Sequence, residues 1–417
     1  MKIRHVAVAS ALLSGLVAAP AHAAPVGAVL YSGHPQAVAD SYIVVLKRHE
    51  DLAAARSAAT GVTFTYRSAL AGFAVRASAK EARRLAADPR VAYVAQDVRV
   101  RLAPHDLTAQ DVTARDVTAR DVTAQDVTAQ AVVVQPNPPS WGLDRIDQRS
   151  LPLDTKYFHP NTASTVRAYI FGTGIRYSHQ EFNGAAVPGL DTVGGVNPPG
   201  NDCNGHGTHM AGTVGGQTTG VAKDVTLVSV RVLNYQGSGT YAQIIAGIDW
   251  ATSDAAASGK KAVALMTPGG GLHQAFNDAI TASINANVHY SVVSGGSNSN
   301  ACNYSPGSTP LATTVGATDV NDAKASFSNY GPCIDVWAPG VNITSAWGTS
   351  DNAYSTISGS TASAHAAGVA ALWRHRFPGD SAVAVAEALR ANATPGVITN
   401  PGAGSSNLLL FMGMIPV

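Results

Sequence analysis

Charge is scarce in this chain of 417 residues. Asp, Glu, Lys and Arg make up only 13% of it, and they nearly cancel to a formal net charge of +1. Neither nucleic acid nor an anionic membrane is therefore expected as a partner. Long apolar runs are also missing: the stretch Val6–Ala19 is too short to span a bilayer, and no later run is longer. Cysteine is down to three residues, Cys203, Cys302 and Cys333, an odd number that leaves one thiol over and that spacing alone does not pair. The signature of disorder is absent too, because hydrophobic residues reach 46%. What remains is a globular chain long enough for two domains.

The N-terminus begins with Lys2, Arg4 and His5, continues through the apolar stretch and reaches Ala21-His22-Ala23. A basic start, a short apolar run and a small-residue cleavage site describe a secretory leader over residues 1–23. A secreted, extracellular and soluble protein is expected, in a setting that permits disulfides.

Residues 40–101 form a first domain. Tyr42–Leu46 reads as a β-branched strand, followed by a helical stretch over His49–Ala59 and strands around Phe64–Tyr66 and Gly72–Val75. Ser78 and Glu81 have capping-box spacing for a second helix running to about Asp88, and Val91–Gln96 is the last strand. The order β-α-β-β-α-β predicts a small α+β, ferredoxin-like domain. Residues 102–136 then carry a five-residue repeat, from Asp106-Leu-Thr-Ala-Gln to Asp126-Val-Thr-Ala-Gln. A period of five collects the apolar residues on no single face of a helix or strand, so the segment reads as an exposed linker closed by Pro136–Pro139.

From 137 to 417 strands and helices alternate. Strands are expected at Val166–Phe171, Val225–Leu233, Ala262–Met266, Val288–Val293 and Ala312–Ala317. Helices are expected at Tyr241–Ser258, His273–Ala286, His365–Arg376 and Ser381–Asn392. This alternation predicts an α/β fold, a parallel sheet with helices on both faces, and glycines just past the strand ends point to a cleft there. Between them stands Asn204-Gly-His-Gly-Thr-His209, a tight turn feeding a helix of small residues, with His206 at its mouth placed for proton transfer.

Several stretches resemble the subtilisin-like serine proteases (subtilases) of the proteinase K and aqualysin branch. They are Pro139-Ser-Trp-Gly-Leu-Asp-Arg-Ile-Asp147, Asp202-Cys-Asn-Gly-His-Gly-Thr-His209, Arg231-Val-Leu233, Ala325-Ser-Phe-Ser-Asn-Tyr-Gly331 and Gly368-Val-Ala-Ala-Leu372. The first domain resembles that family's inhibitor-type propeptide, so the chain's own propeptide is an expected partner and the protein an expected monomer. The resemblance implies serine-type peptide-bond hydrolysis: a Ser attacks the scissile carbonyl, a His takes its proton, an Asp holds the imidazole and an Asn side chain helps stabilise the oxyanion.

The residues follow that scheme only in part. His206 matches the catalytic His. Gly172, in Ile170-Phe-Gly-Thr-Gly174, stands at the Asp position, and Gly296 stands at the oxyanion Asn position, with Asn298 two residues on. Asp202 matches an acid the family also carries and is no substitute. The nucleophile loop, Ser358-Gly-Ser-Thr-Ala-Ser-Ala-His365, is one residue short, so Ser360 or Thr361 takes the nucleophile's place, and Ala364 replaces a helix-starting proline. The resemblance assigns substrate binding to Gly237, Ser238, Gly239, Gly269, Gly270, Ser294 and Gly295, with Pro268 weakening strand addition along one edge. It also implies a Cys302–Cys333 disulfide, leaving Cys203 free because its partner's place holds Tyr235. A structural calcium site at Pro310, Ala312 and Asp335 is implied as well, and no catalytic cofactor. Two readings follow: a secreted protease homologue whose catalysis is lost or severely impaired, or an active endopeptidase acting on peptide or protein substrates through His206 with Ser360 or Thr361.

Overall fold

The structure is a computed structural model that describes residues 27–107, 110–112 and 133–416. The leader expected at 1–23 and most of the five-residue repeat lie outside the described residues.

The first domain follows the expected order: β1 (Ala37–Leu46), α1 (Leu52–Ser57), β2 (Val62–Tyr66), β3 (Gly72–Arg76), α2 (Ala79–Ala86) and β4 (Val91–Arg101). Its strands pair antiparallel in the order β4-β1-β3-β2. The Ser78 hydroxyl accepts from the Glu81 N–H at 3.2 Å and starts α2. Alternation along β1 gives the sheet two apolar faces. Tyr42, Val44 and Leu46 pack with Phe73, Ala82 and Leu85 beneath α1 and α2, while Ile43 and Val45 point the other way, towards the second domain.

Two expectations are corrected here. The last strand runs to Arg101 rather than stopping at Gln96, because Val98, Val100 and Leu102 continue the alternation and are buried. Its outer end pairs with a strand of the second domain, a partner too distant in sequence for local reading to supply. The exposed linker also fails at its start. Residues Pro104–Leu107 form the helical turn α3, Asp106 is only 3% exposed, and β5 (Gln110–Val112) joins a hairpin of the second domain.

The second domain is built on a nine-stranded sheet. Seven of its strands are β6 (Val166–Gly172), β7 (Ala186–Asp191), β8 (Thr226–Arg231), β10 (Lys261–Met266), β11 (Val288–Val293), β12 (Thr313–Thr318) and β13 (Val336–Pro339). They lie parallel in the order β7-β8-β6-β10-β11-β12-β13. The short strand β9 (Ser238–Thr240) lies outside this sheet and pairs with β4, and β14 (Tyr354–Ile357) receives β5. Helices cover both faces. Ala168 and Ile170 of β6 face α4 (His206–Gly215) and α7 (Thr361–Arg376), while Tyr169 and Phe171 face α5 (Tyr241–Ser258) and α6 (Gln274–Asn285). A last helix, α8 (Ala382–Asn392), adds Val385 and Leu389 to the α4–α7 side.

Helix α7 begins four residues before the expected His365. Ala364, unlike proline, has an N–H, and it donates to the Ser360 carbonyl at 3.3 Å, so the first turn closes without the pre-set φ of a proline.

The two domains share a core. Tyr66, Leu70, Val98 and Val100 pack with Ile244, Ile245 and Phe276 of α5 and α6. Polar contacts fix the register: Asp249 Oδ1 accepts the N–H groups of Arg67, Ser68 and Ala69 at 2.8, 2.6 and 2.9 Å, and Asp97 Oδ1 accepts from Ala242 N–H in the first turn of α5 at 3.0 Å.

Candidate active site

The site lies at the carboxyl ends of the central strands, where β6 gives way to α4. The turn into α4 is organised by Asp202. Its Oδ1 accepts from the Thr173 hydroxyl and from the N–H groups of Asn204 and Gly205, and its Oδ2 accepts from the Thr208 N–H and hydroxyl, at 2.6–3.1 Å. Asp202 is thus fully committed to the turn. Gly205 takes φ +111°, and a Cβ on Gly207 would lie 2.1 Å from the Gly174 carbonyl oxygen. Only glycine lets α4 approach β6 this closely.

His206 opens α4 and is completely buried, yet neither ring nitrogen has a hydrogen-bond partner. The residue at the end of β6 is Gly172, where an added Cβ would meet only Gly207 Cα at 3.7 Å and Thr267 Oγ1 at 3.9 Å. There is room for a Cβ, and none is present. Three residues on, His209 is a structural histidine. Its Nε2 lies 3.0 and 3.1 Å from the carbonyls of Ile343 and Ser355, and burial, aided by the nearby His206, pushes its pKa down to about 3.

Ser360 caps α7 and Thr361 is its first residue. The two alternatives separate clearly. The Ser360 hydroxyl points into the cleft, whereas Thr361 is wholly buried with its Oγ1 unpartnered. Ser294, Gly295, Gly296, Gly269 and Gly270 line the same cleft. Asn298 does not turn back to substitute at Gly296, because its Oδ1 accepts from Lys324 Nζ at 2.9 Å. Along one rim, Ser238–Thr240 pairs antiparallel with Arg99–Arg101, and the Leu102 N–H donates to the Gly237 carbonyl at 2.9 Å. Along the other, Gly270 and Gly271 pair with Tyr304 and Ser305 of their own domain.

Two residues in the cleft were invisible to sequence reasoning. His105 stacks on Phe327 with ring centroids 4.1 Å apart. Asp106 places Oδ1 2.7 Å from the Ser360 N–H and 3.8 Å from His206 Nε2, and its Oδ2 accepts the Ser360 hydroxyl at 2.9 Å. Burial raises the pKa of this carboxyl, but the nearby imidazoles of His206 and His105 and the hydrogen bond from the Ser360 N–H outweigh it, and the net direction is down. The available signal was the alternation Val98, Val100, Leu102, which leads straight from the last strand towards these residues.

Cys302 and Cys333 form a disulfide, with Cα atoms 5.4 Å apart. Cys203 is free. Arg231 Nη2 donates to its sulfur at 3.3 Å, and burial holds the thiol pKa above its ordinary value. At the expected calcium position the single carboxylate, Asp335, already accepts from the Thr314 N–H at 2.8 Å through one oxygen and from Arg390 at 3.2 Å through the other. No cluster of three or more His, Cys, Asp or Glu suited to a metal occurs among the described residues. The expected ligands are oxygens, as calcium prefers, with the Asp335 carboxylate paired to the half-exposed Arg390.

Chemically, a buried imidazole, a serine hydroxyl and a backbone N–H at a helix N-terminus converge on one point. These are elements of an acyl-transfer centre, but among the described residues no acid meets His206 Nδ1, and no side chain extends from Gly296.

Comparison with known proteins places both domains. Residues 169–409 match the model of the subtilase family, peptidase S8, and residues 39–103 match that of peptidase inhibitor I9. An extracellular serine proteinase of a Thermus species is 42% identical over 406 residues, covering 90% of each chain. The alkaline serine exoprotease A of Vibrio alginolyticus is 38% identical over 90% of this chain and 68% of its own. A solved structure of a cold-adapted subtilisin-like serine proteinase superposes with a TM-score of 0.62 at 43% identity, covering 65% of this chain and 97% of that one. No helix among the described residues is long and apolar enough to cross a membrane.

Proposed function

Because this chain belongs to the subtilase family and carries an I9 inhibitor domain ahead of its peptidase domain, we propose that it is an exported serine endopeptidase homologue whose peptide-bond hydrolysis is severely impaired or lost. One observation carries the reading: the buried His206 has no partner for Nδ1, and Gly172 offers none. An imidazole without its acid is neither fixed in the productive tautomer nor stabilised as it gains a proton. In enzymes with this triad, loss of the acid costs about 10⁴-fold in turnover. Loss of an oxyanion donor costs about 10²–10³-fold, and although the two effects do not add, both point the same way.

The second reading, an active endopeptidase, draws support from Ser360, whose hydroxyl faces the cleft, and from relatives whose names describe proteinases. Export rests on the leader at 1–23 and on the extracellular relative. Calcium at Pro310, Ala312 and Asp335 stays a proposal, and binding would require Arg390 to release the carboxylate.

Intact mass of the purified full chain, followed over days with and without calcium, tests the main reading. Both the native chain and His206→Ala are expected to stay at full mass. Self-cleavage that occurs in the native sequence and vanishes in His206→Ala would establish the active reading instead.

A further inference from the structure

The segment that enters the cleft is not presented as a substrate is. It is extended as far as Leu102, then turns helical over Pro104–Leu107, with the Asp106 N–H donating to the Ala103 carbonyl at 3.0 Å. What stands at Ser360 is therefore a side-chain carboxylate. The Ser360 N–H and hydroxyl both donate to Asp106, and His206 Nε2, buried and without a hydrogen bond, faces the same Oδ1. These groups converge at the N-terminus of the sixteen-residue helix α7, where the helix dipole favours an anion.

The neighbouring His105 explains Gly296. A Cβ on residue 296 would lie 2.0 Å from His105 Cε1, and one on Gly359 would lie 2.4 Å from His105 Cδ2. Gly359 also has φ +112°, so its backbone demands glycine in any case, but Gly296 carries no such positive φ. The absence of a side chain at 296 is thus matched to the ring that fills the space.

We propose that the reacting centre of this chain is a carboxylate receptor, with the Asp106 side chain as its resident ligand and Gly296 as the socket for His105. The proposal rests on the reading of impaired catalysis and goes beyond it: the cleft is adapted to hold this turn, and the loss at 296 is part of the fit.

Amide hydrogen exchange on the full-length protein tests it. Asp106→Ala and Gly296→Asn should each speed exchange of residues 99–107 at least tenfold while leaving β6 protected, which also reports that the variants are folded. Adding His105→Gly to Gly296→Asn should restore protection. In Asp106→Ala the Ser360 amide should exchange faster and be slowed again by sodium formate, but not by sodium chloride at the same ionic strength. Protection of residues 99–107 unchanged in both single variants would overturn the proposal, as would formate acting no differently from chloride. Self-cleavage of the native chain would remove the reading beneath it, whereas an intact native chain in which residues 99–107 exchange unprotected would sink this proposal alone.

Discussion

The two parts of the cleft have fared differently. The rim made by Gly237–Thr240 accepts an extended strand through main-chain groups, and it does so here with Arg99–Leu102. The reacting centre depends on side chains, and two of the positions assigned to it, 172 and 296, are glycine. Strand addition needs little more than an accessible edge and room beside it, so it tolerates much sequence change. Proton transfer and charge stabilisation need particular atoms at particular distances, so a single position removes them. On the proposed reading, recognition persists where chemistry is impaired.

The sharpest way to break that contrast is to rebuild the chemical half. Gly172→Asp combined with Gly296→Asn and His105→Gly should raise hydrolysis of an unstructured protein substrate by about 10³-fold or more over the native chain, given the magnitudes of the two missing groups. Failure of this variant to gain activity even with Asp106→Ala added to free Ser360 would mean that the shortened Ser358–His365 loop or the strand still seated on the rim, and not the two glycines, limits hydrolysis. The next effect probes recognition. Asp249→Ala removes the acceptor of three N–H groups of the first domain, two of them open to water, and should lower stability by about 0.5–1.5 kcal/mol in denaturant unfolding. No loss would show that docking is carried by the apolar core alone.

The smallest effect is that of acid. Asp106 has a folded pKa below its unfolded value, so its contribution is present at pH above the ordinary carboxylate pKa, near 3.9, and fades as pH falls through the lower folded value. Replacing it with Asn should flatten the acid limb of stability against pH, measured by thermal unfolding from pH 6 downwards. An acid limb identical in the variant would mean that the carboxylate is not ionised in the cleft.

Most of the architecture was legible because it follows from short-range pattern. The alternation of strands and helices set the parallel sheet, and β11 and α5 fall where the residues indicated. The errors lie where a partner is far away in sequence. Gln96 looked like the end of a strand because its extension pairs with Ser238–Thr240. Asp106 looked like one unit of a repeat because the groups that bind it, His206 and Ser360, lie at least 100 positions downstream in the chain. The ambiguity between Ser360 and Thr361 could not be resolved by counting residues, since it depends on which way the first turn of α7 faces.

The sheet of the first domain has no solvent face. One side is covered by its own helices and the other by α5 and α6. Pulling that domain away would bare the apolar side chains of Ile43, Val45, Tyr66 and Val98 together with the helix surfaces they cover, so water opposes its departure. A cut in the chain after it would by itself remove none of the contacts that hold the two pieces together.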